Sequence, residues 1–189
     1  MKVLIMFSGG LDSTYMLWHY LTKTYYAVHT HHVSIQNREL NFKKEYESTE
    51  KIYAYCKNNF RDFKTSESKF IFDFPYPGWD SDIICLVASR LCPNIRAEKV
   101  VMGWVKDDLN RPVVIDRMKR KVTSNLWESL ANSCDFPIPP TVDYPLIGKT
   151  KQEIINELPK ELMDLTWSCR KGGLRPCGKC HSCKTREGL

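Results

Sequence analysis

Two clusters of residues in this 189-residue chain have the types and spacing to do chemistry. The first is Ser8-Gly9-Gly10-Leu11-Asp12-Ser13, set directly after the apolar run Lys2-Val3-Leu4-Ile5-Met6-Phe7. Glycines there let backbone N–H groups approach phosphate oxygens, and a helix starting just beyond aims its positive end at the same anion. The second is Cys169 followed by Cys177-Gly178-Lys179-Cys180-His181-Ser182-Cys183. Thiols at i, i+3 and i+6 plus a fourth upstream can close a tetrahedron around Zn²⁺, with Gly178 permitting the tight turn. Four protein ligands leave no open position, so such a site is structural and orders the segment around it. A disulfide framework and a redox Cys-x-x-Cys pair are the competing readings, and His181 is an alternative ligand. Cys56, Cys85, Cys92 and Cys134 are scattered and read as ordinary thiols.

These residues need a scaffold, and the hydrophobic pattern supplies one. Apolar runs alternate with helical stretches, which predicts a doubly wound parallel sheet covered by helices. Strands are expected at Val3–Phe7, Tyr26–His31, Phe70–Phe74 and Lys99–Trp104. Helices are expected over about Thr14–Lys23, Arg38–Lys57, Asp82–Leu91, Lys119–Ser133 and Lys151–Leu158. The proline-bearing segments Phe74–Gly78 and Phe136–Pro140 read as a turn and an extended loop. Trp127 reads as a core residue of its helix, and the last twenty residues show no period. His29, His31 and His32 fall at the end of the second strand. They are candidate metal or proton-transfer groups, although alternation alone puts His29 and His31 on one strand face.

Composition narrows the class. Hydrophobic residues make up 42% and charged residues 26%, a globular balance. No window reaches the roughly 20 uninterrupted apolar residues of a membrane helix, and the first apolar run lacks a cleavage site. The expectation is a cytoplasmic protein. The formal charge is +6, and four zinc-bound thiolates would bring it to about +4. That mildly basic surface suits a nucleotide and leaves nucleic-acid binding an open alternative. Arg170, Lys171, Arg175, Lys184 and Arg186 gather near the cysteines, as solvated charge or as the rim of an anion site.

The S-G-G-L-D-S motif resembles the PP-loop of the N-type ATP pyrophosphatases, which have an adenine nucleotide alpha-hydrolase-like fold. Together with Thr166-Trp167-Ser168-Cys169 and P-C-G-K-C-H-S-C, it makes the chain similar to the 7-cyano-7-deazaguanine synthases. Val100–Asp108 resembles that family's glycine-ending strand, and Tyr144–Ile154 its proline-leucine and Thr-Lys-x-Glu-Ile segment. The resemblance implies a PP-loop domain over residues 1–165, with 166–189 a four-cysteine zinc-binding segment packed on it. It also implies an ATP-dependent carbon–nitrogen ligase acting on ATP, ammonia and 7-carboxy-7-deazaguanine, and a homodimer.

By that resemblance Ser8, Gly9, Gly10, Leu11, Asp12 and Ser13 bind the nucleotide, with Gly103 and Asp107 beside it and Asp108 an alternative. Asp12, Ser13 and Lys151 are the catalytic candidates, and Asp12 orients the loop or binds Mg²⁺. Cys169, Cys177, Cys180 and Cys183 are the metal ligands. The carboxylate would attack the α-phosphate of ATP, and ammonia would displace AMP to give an amide. A second adenylation and loss of AMP would give the nitrile. Three segments depart from the family. His31–Arg38 replaces Tyr-Gly-Gln-Arg, Trp79–Asp82 replaces a Pro-x-Arg-Asn element, and Leu109–Pro112 replaces Tyr-Pro-Asp-Cys-Arg. Family substrate contacts cluster there. An amide-forming variant, a tRNA thiolation enzyme and a non-catalytic nucleotide- or nucleic-acid-binding module are therefore the alternatives. Without a fused glutaminase domain, ammonia is expected free or from an external donor.

Overall fold

The run Val3-Leu4-Ile5-Met6-Phe7 has no polar face because its strand is covered on both sides, as the centre of a parallel sheet must be. In the computed structural model it forms β1 (Lys2–Phe7), with every residue from Val3 to Phe7 buried. The structure describes residues 1–36, 41–74, 80–109, 141–171, 173 and 175–187. Among the described residues, five parallel strands run in the order β3-β2-β1-β4-β5. The others are β2 (Ala27–Gln36), β3 (Lys64–Ile71), β4 (Lys99–Val101) and β5 (Thr141–Asp143). The helices are α1 (Leu11–Lys23), α2 (Phe42–Asn59), α3 (Asp80–Asn94), α4 (Lys106–Leu109), α5 (Lys151–Glu157), α6 (Lys160–Leu165) and α7 (His181–Glu187). This is the expected doubly wound sheet.

Alternation along β1 divides two cores. Val3, Ile5 and Phe7 meet Tyr15, Leu17, Ile52, Ile154 and Leu162 on one face. Leu4 and Met6 meet Ala88, Cys92, Val100 and Met102 on the other. Each fully buried Leu, Ile or Val contributes about 1.5–3 kcal/mol. Arg61 ties off the end of α1, donating to the carbonyls of Tyr20, Leu21 and Thr24 at 2.7–3.3 Å. Strand order reverses between β1 and β4, and ligands of such sheets bind at the carboxyl ends of strands flanking that reversal.

Several boundaries differ from the sequence reading. α1 starts at Leu11, three residues earlier than Thr14, because extended Gly10 (φ −83°, ψ 170°) is its N-cap. β2 runs on to Gln36, since eight of its residues pair with β3 from His29↔Lys64 to Gln36↔Ile71. The three histidines are therefore interior strand residues, not strand-end residues. β3 is Lys64–Ile71 and not Phe70–Phe74. It is an edge strand, and edges carry charge that blunts further pairing. β4 stops at Val101, and Thr141–Asp143 adds an unanticipated strand held by Lys99 Nζ to Asp143 at 3.0 Å. The last twenty residues contain α7. The expected helix over 119–133 with Trp127, the loop 136–140, Cys134, most of the turn after Phe74 and the segment 110–112 lie outside the described residues.

Candidate functional site

The phosphate-type loop sits where β1 meets α1. Gly9 adopts φ +72°, a left-handed conformation that favours glycine. Space demands glycine too, because a Cβ there would stand 2.9 Å from both Glu45 O and Thr49 Oγ1 of α2. The Gly10 carbonyl accepts from Thr14 N (3.0 Å), Thr14 Oγ1 (2.8 Å) and Ser13 Oγ (3.1 Å), which closes the first turn of α1. The Ser8 backbone N–H donates to Ser13 Oγ at 3.3 Å, and the two serine hydroxyls lie 3.2 Å apart. The N-cap of α1 is Gly10, which has no side chain to accept from the first-turn N–H groups.

Residues distant in sequence gather on this loop. A Cβ on Gly103, just beyond β4, would lie 3.2 Å from Asp12 Cβ, so glycine permits that approach. α4 follows with Asp107 and Asp108, and the Asp107 carboxylate accepts from the Lys151 backbone N–H at 2.6 Å. A capping box starts α5, in which Thr150 Oγ1 accepts from Glu153 N while the Glu153 carboxylate accepts from Thr150 N. Tyr15 and Lys149 both donate to Glu157, and the Lys149 ammonium lies 5.6 Å from the Tyr15 ring centre. The C-terminal end of α5 is thereby fastened to α1. Asp12 Oδ1 is sealed from solvent and has no hydrogen-bond partner. Burial pushes the Asp12 carboxyl up to about 6, Lys151 pulls it down, and Asp108 and Asp107 push it further up. The structure thus brings together Ser8–Ser13, Gly103, Asp107, Asp108 and Lys151.

A cleft, about 590 Å³ when the open solvent at its mouth is included, adjoins Ser8 and is lined by His31, Val33, Asn41, Glu45 and Ile84 among others. Asn41 Nδ2 donates to Glu45 Oε1 at 2.7 Å. His31 lies between Ser66 (Nδ1, 2.7 Å) and Ser68 (Nε2, 3.0 Å), and His29 Nε2 shares the same Ser66 hydroxyl at 2.8 Å. Burial lowers His31 to about 4, with His29 and His32 adding to the effect, so the ring is neutral at physiological pH. His32 lies on the opposite sheet face, donating from Nδ1 to Phe7 O at 3.0 Å. None of the three belongs to a metal-binding group found among the described residues.

The sulfurs of Cys169, Cys177, Cys180 and Cys183 all lie within 4.8 Å of one another, close to the ~3.8 Å separations implied by tetrahedral Zn–S bonds of about 2.3 Å. Gly178 turns the chain at φ +65°. N–H groups of Lys171 and Cys177 donate to the Cys169 sulfur at 3.4 Å, and that of Cys180 to Cys177 at 3.3 Å. Backbone N–H groups of Lys179 and Cys180 bring the Cys177 thiol down to about 6, whereas burial pushes Cys183 up to about 12. A bound cation would deprotonate all four. His181 opens α7 and is not one of the four converging groups. Arg186 donates to the carbonyls of Thr166 and Met163 at 3.2 and 3.1 Å.

Sequence reasoning missed Ser48, a buried serine of α2 whose hydroxyl lies 2.9 Å from Gly9 O and 2.6 Å from Leu165 O. It also missed the Trp167 backbone N–H, which donates to the same Gly9 carbonyl at 3.0 Å. No motif marks a serine inside a polar helix, and a backbone donor carries no sequence signal. Among the described residues, no helix is long and apolar enough to cross a membrane.

Comparison with known proteins fits this arrangement. The family model for queuosine biosynthesis protein QueC matches residues 81–188. A 7-cyano-7-deazaguanine synthase from Caldicellulosiruptor saccharolyticus is 26% identical, over 98% of this chain and 89% of its own length. Another from Picrophilus torridus is also 26% identical, over 98% and 85%. The U34-tRNA thiolase NcsA from Methanococcus maripaludis, solved with its 4Fe-4S cluster, shares the fold at a TM-score of 0.61 and 16% identity. The match covers 98% of this chain and 62% of that one. A family match over more than half of the chain, with relatives aligned along nearly all of it, makes this protein a member of the QueC family.

Proposed function

We propose that this protein is an ATP-dependent 7-cyano-7-deazaguanine synthase, with residues 1–165 as its catalytic PP-loop domain and 166–189 as a metal-binding segment packed on it. The observation that carries the proposal is the sealed, unpartnered Asp12 Oδ1 at the start of a helix whose glycine N-cap offers no side chain to its first-turn N–H groups. Uncapped donors suit pyrophosphate, and an orphaned carboxylate oxygen near two further carboxylates suits Mg²⁺. When bound, Mg²⁺ would neutralise phosphate charge, with Asp12 and Asp107 as its candidate protein ligands.

The roles of the chain's own groups follow from position. Ser8, Gly9, Gly10, Leu11 and Ser13 hold the β- and γ-phosphates through N–H and hydroxyl donors, with Gly103 letting β4 close on the loop. Lys151 stabilises charge as pyrophosphate departs. The substrate carboxylate attacks the α-phosphorus and the bond to the pyrophosphate oxygen breaks. Ammonia then displaces AMP, losing one proton, and leaves an amide. The amide oxygen attacks a second ATP in the same way, and departure of AMP with loss of the nitrogen protons leaves the nitrile. The cleft beside Ser8 has room for a heterocycle, with neutral His31 and the Asn41–Glu45 pair as its polar lining.

The four thiolates are proposed to hold Zn²⁺, which would crosslink the C-terminal segment and leave no open coordination position. An absorption spectrum separates colourless zinc from a coloured iron–sulfur cluster. The function is tested by mass spectrometry of a reaction containing the protein, ATP, Mg²⁺, ammonium and 7-carboxy-7-deazaguanine, with AMP quantified. Nitrile with AMP is the expected result. Amide alone would mark an amidating variant, and absence of both products would refute this acceptor.

A further inference from the structure

The back of the phosphate-type loop is held by one face of α2 and by the segment that follows α6. Glu45, Ser48 and Thr49 share one face of α2, and all three press on Gly9. The Ser48 hydroxyl has a single hydrogen, shared between Gly9 O at 2.9 Å and Leu165 O at 2.6 Å. The Gly9 carbonyl also accepts from Trp167 N at 3.0 Å. Trp167 in turn donates from its indole to Cys169 O at 2.8 Å, and Arg186 fixes the carbonyls of Met163 and Thr166 from the far side of the cysteine cluster. The strap Leu165–Trp167 is thereby pinned to the loop at one end and to the cysteine segment at the other. Gly9 holds a positive φ within the loop, so the direction of its carbonyl fixes how the Gly10 N–H in the same peptide unit is presented.

We infer that Ser48 is a positioning residue that couples the cysteine segment to the anion-binding face of the loop, so that both are formed together. The inference rests on the loop binding an oligophosphate, as proposed above. Two consequences follow. Removing the Ser48 hydroxyl releases both the Gly9 carbonyl and the strap, weakening anion binding without touching any group on the ligand side. By linkage, the factor by which the docked strap strengthens anion binding is the factor by which a bound anion tightens the strap.

Calorimetry with Mg²⁺-pyrophosphate on the metal-loaded protein and its Ser48→Ala variant tests the first consequence. The expected result is a Kd raised about tenfold, equivalent to about 1.4 kcal/mol. In ATP turnover the KM should rise by a similar factor with kcat less affected. Hydrogen exchange of the Trp167 amide in the unmodified protein tests the second and stands even if Ser48→Ala fails to fold. That amide should exchange about tenfold more slowly with saturating Mg²⁺-pyrophosphate than without. An unchanged Kd in a folded Ser48→Ala protein, or unchanged Trp167 exchange in a protein that does bind pyrophosphate, would overturn the coupling alone. Failure of the unmodified protein to bind pyrophosphate would overturn the phosphate-loop reading and the coupling with it.

Discussion

Asp12 should make the folded protein less stable at neutral pH than a neutral isostere would. Its carboxyl is raised from 3.8 to about 6, chiefly by burial, and Oδ1 has no partner. A carboxyl so moved holds its proton about 3 kcal/mol more tightly in the folded than in the unfolded chain, at 1.36 kcal/mol per pH unit. Between pH 3.8 and about 6 the native state retains a proton that the unfolded state has lost. Stability therefore falls as pH rises through that window, and the full penalty stands above it. Asp12→Asn removes the titration. Urea denaturation of both proteins without nucleotide, from pH 3.5 to 8, isolates Asp12 and its coupling to Lys151, Asp107 and Asp108, because groups not coupled to it cancel in the difference. Asp12→Asn should gain up to about 3 kcal/mol relative to its difference at pH 3.5, with most of the gain between pH 4 and 6. It should also lose ATP turnover and any Mg²⁺-dependent stabilisation by pyrophosphate. A difference that stays flat with pH would refute the argument that Asp12 is a buried, uncompensated carboxylate.

Other perturbations have equally definite outcomes. Gly9→Ala meets both a φ of +72° and backbone 2.9 Å away, so urea denaturation should show a loss of about 2–4 kcal/mol. Stripping the metal from the cysteine cluster, followed by differential scanning calorimetry, should lower Tm by more than about 5 °C and weaken pyrophosphate binding. Unchanged affinity in the stripped protein would detach the cluster from the loop. His31, held to about 4 by burial, should show no imidazole titration by NMR between pH 5.5 and 8, and a transition near 6.5 would contradict its burial. Tyr15→Phe removes the phenolic donor to Glu157 and should cost about 1–2 kcal/mol in urea denaturation.

How much of this was legible in the chain depends on whether the cause is local. β1, the loop and α1 were readable because an uninterrupted apolar strand, paired glycines and a helical period occupy adjacent residues. The cysteine cluster was readable because sulfur spacing is itself the geometry. β2 and β3 were misjudged because tertiary context outweighed their polar residues. His29 and His31 find partners in Ser66 and Ser68, which makes a histidine-rich run stable inside a sheet. β3 carries lysines and glutamate because it is an edge, and no local pattern tells an edge strand from a loop. Thr141–Asp143 is too short to show a period and exists by pairing with β4.

The site divides along the same line. Motifs named the residues of the ligand side, whose types are fixed by the chemistry they face. The supporting side consists of a serine hydroxyl, a backbone N–H and a carbonyl, groups that almost any sequence offers. Gly9 joins the two: its φ and the absence of a Cβ let α2 pack so near that a Cβ there would stand 2.9 Å from Glu45 O, while its carbonyl receives both Ser48 and Trp167. A substitution of Ser48 therefore acts on the phosphate-binding donors through Gly9. Its effect should appear in anion affinity before it appears in the chemical step.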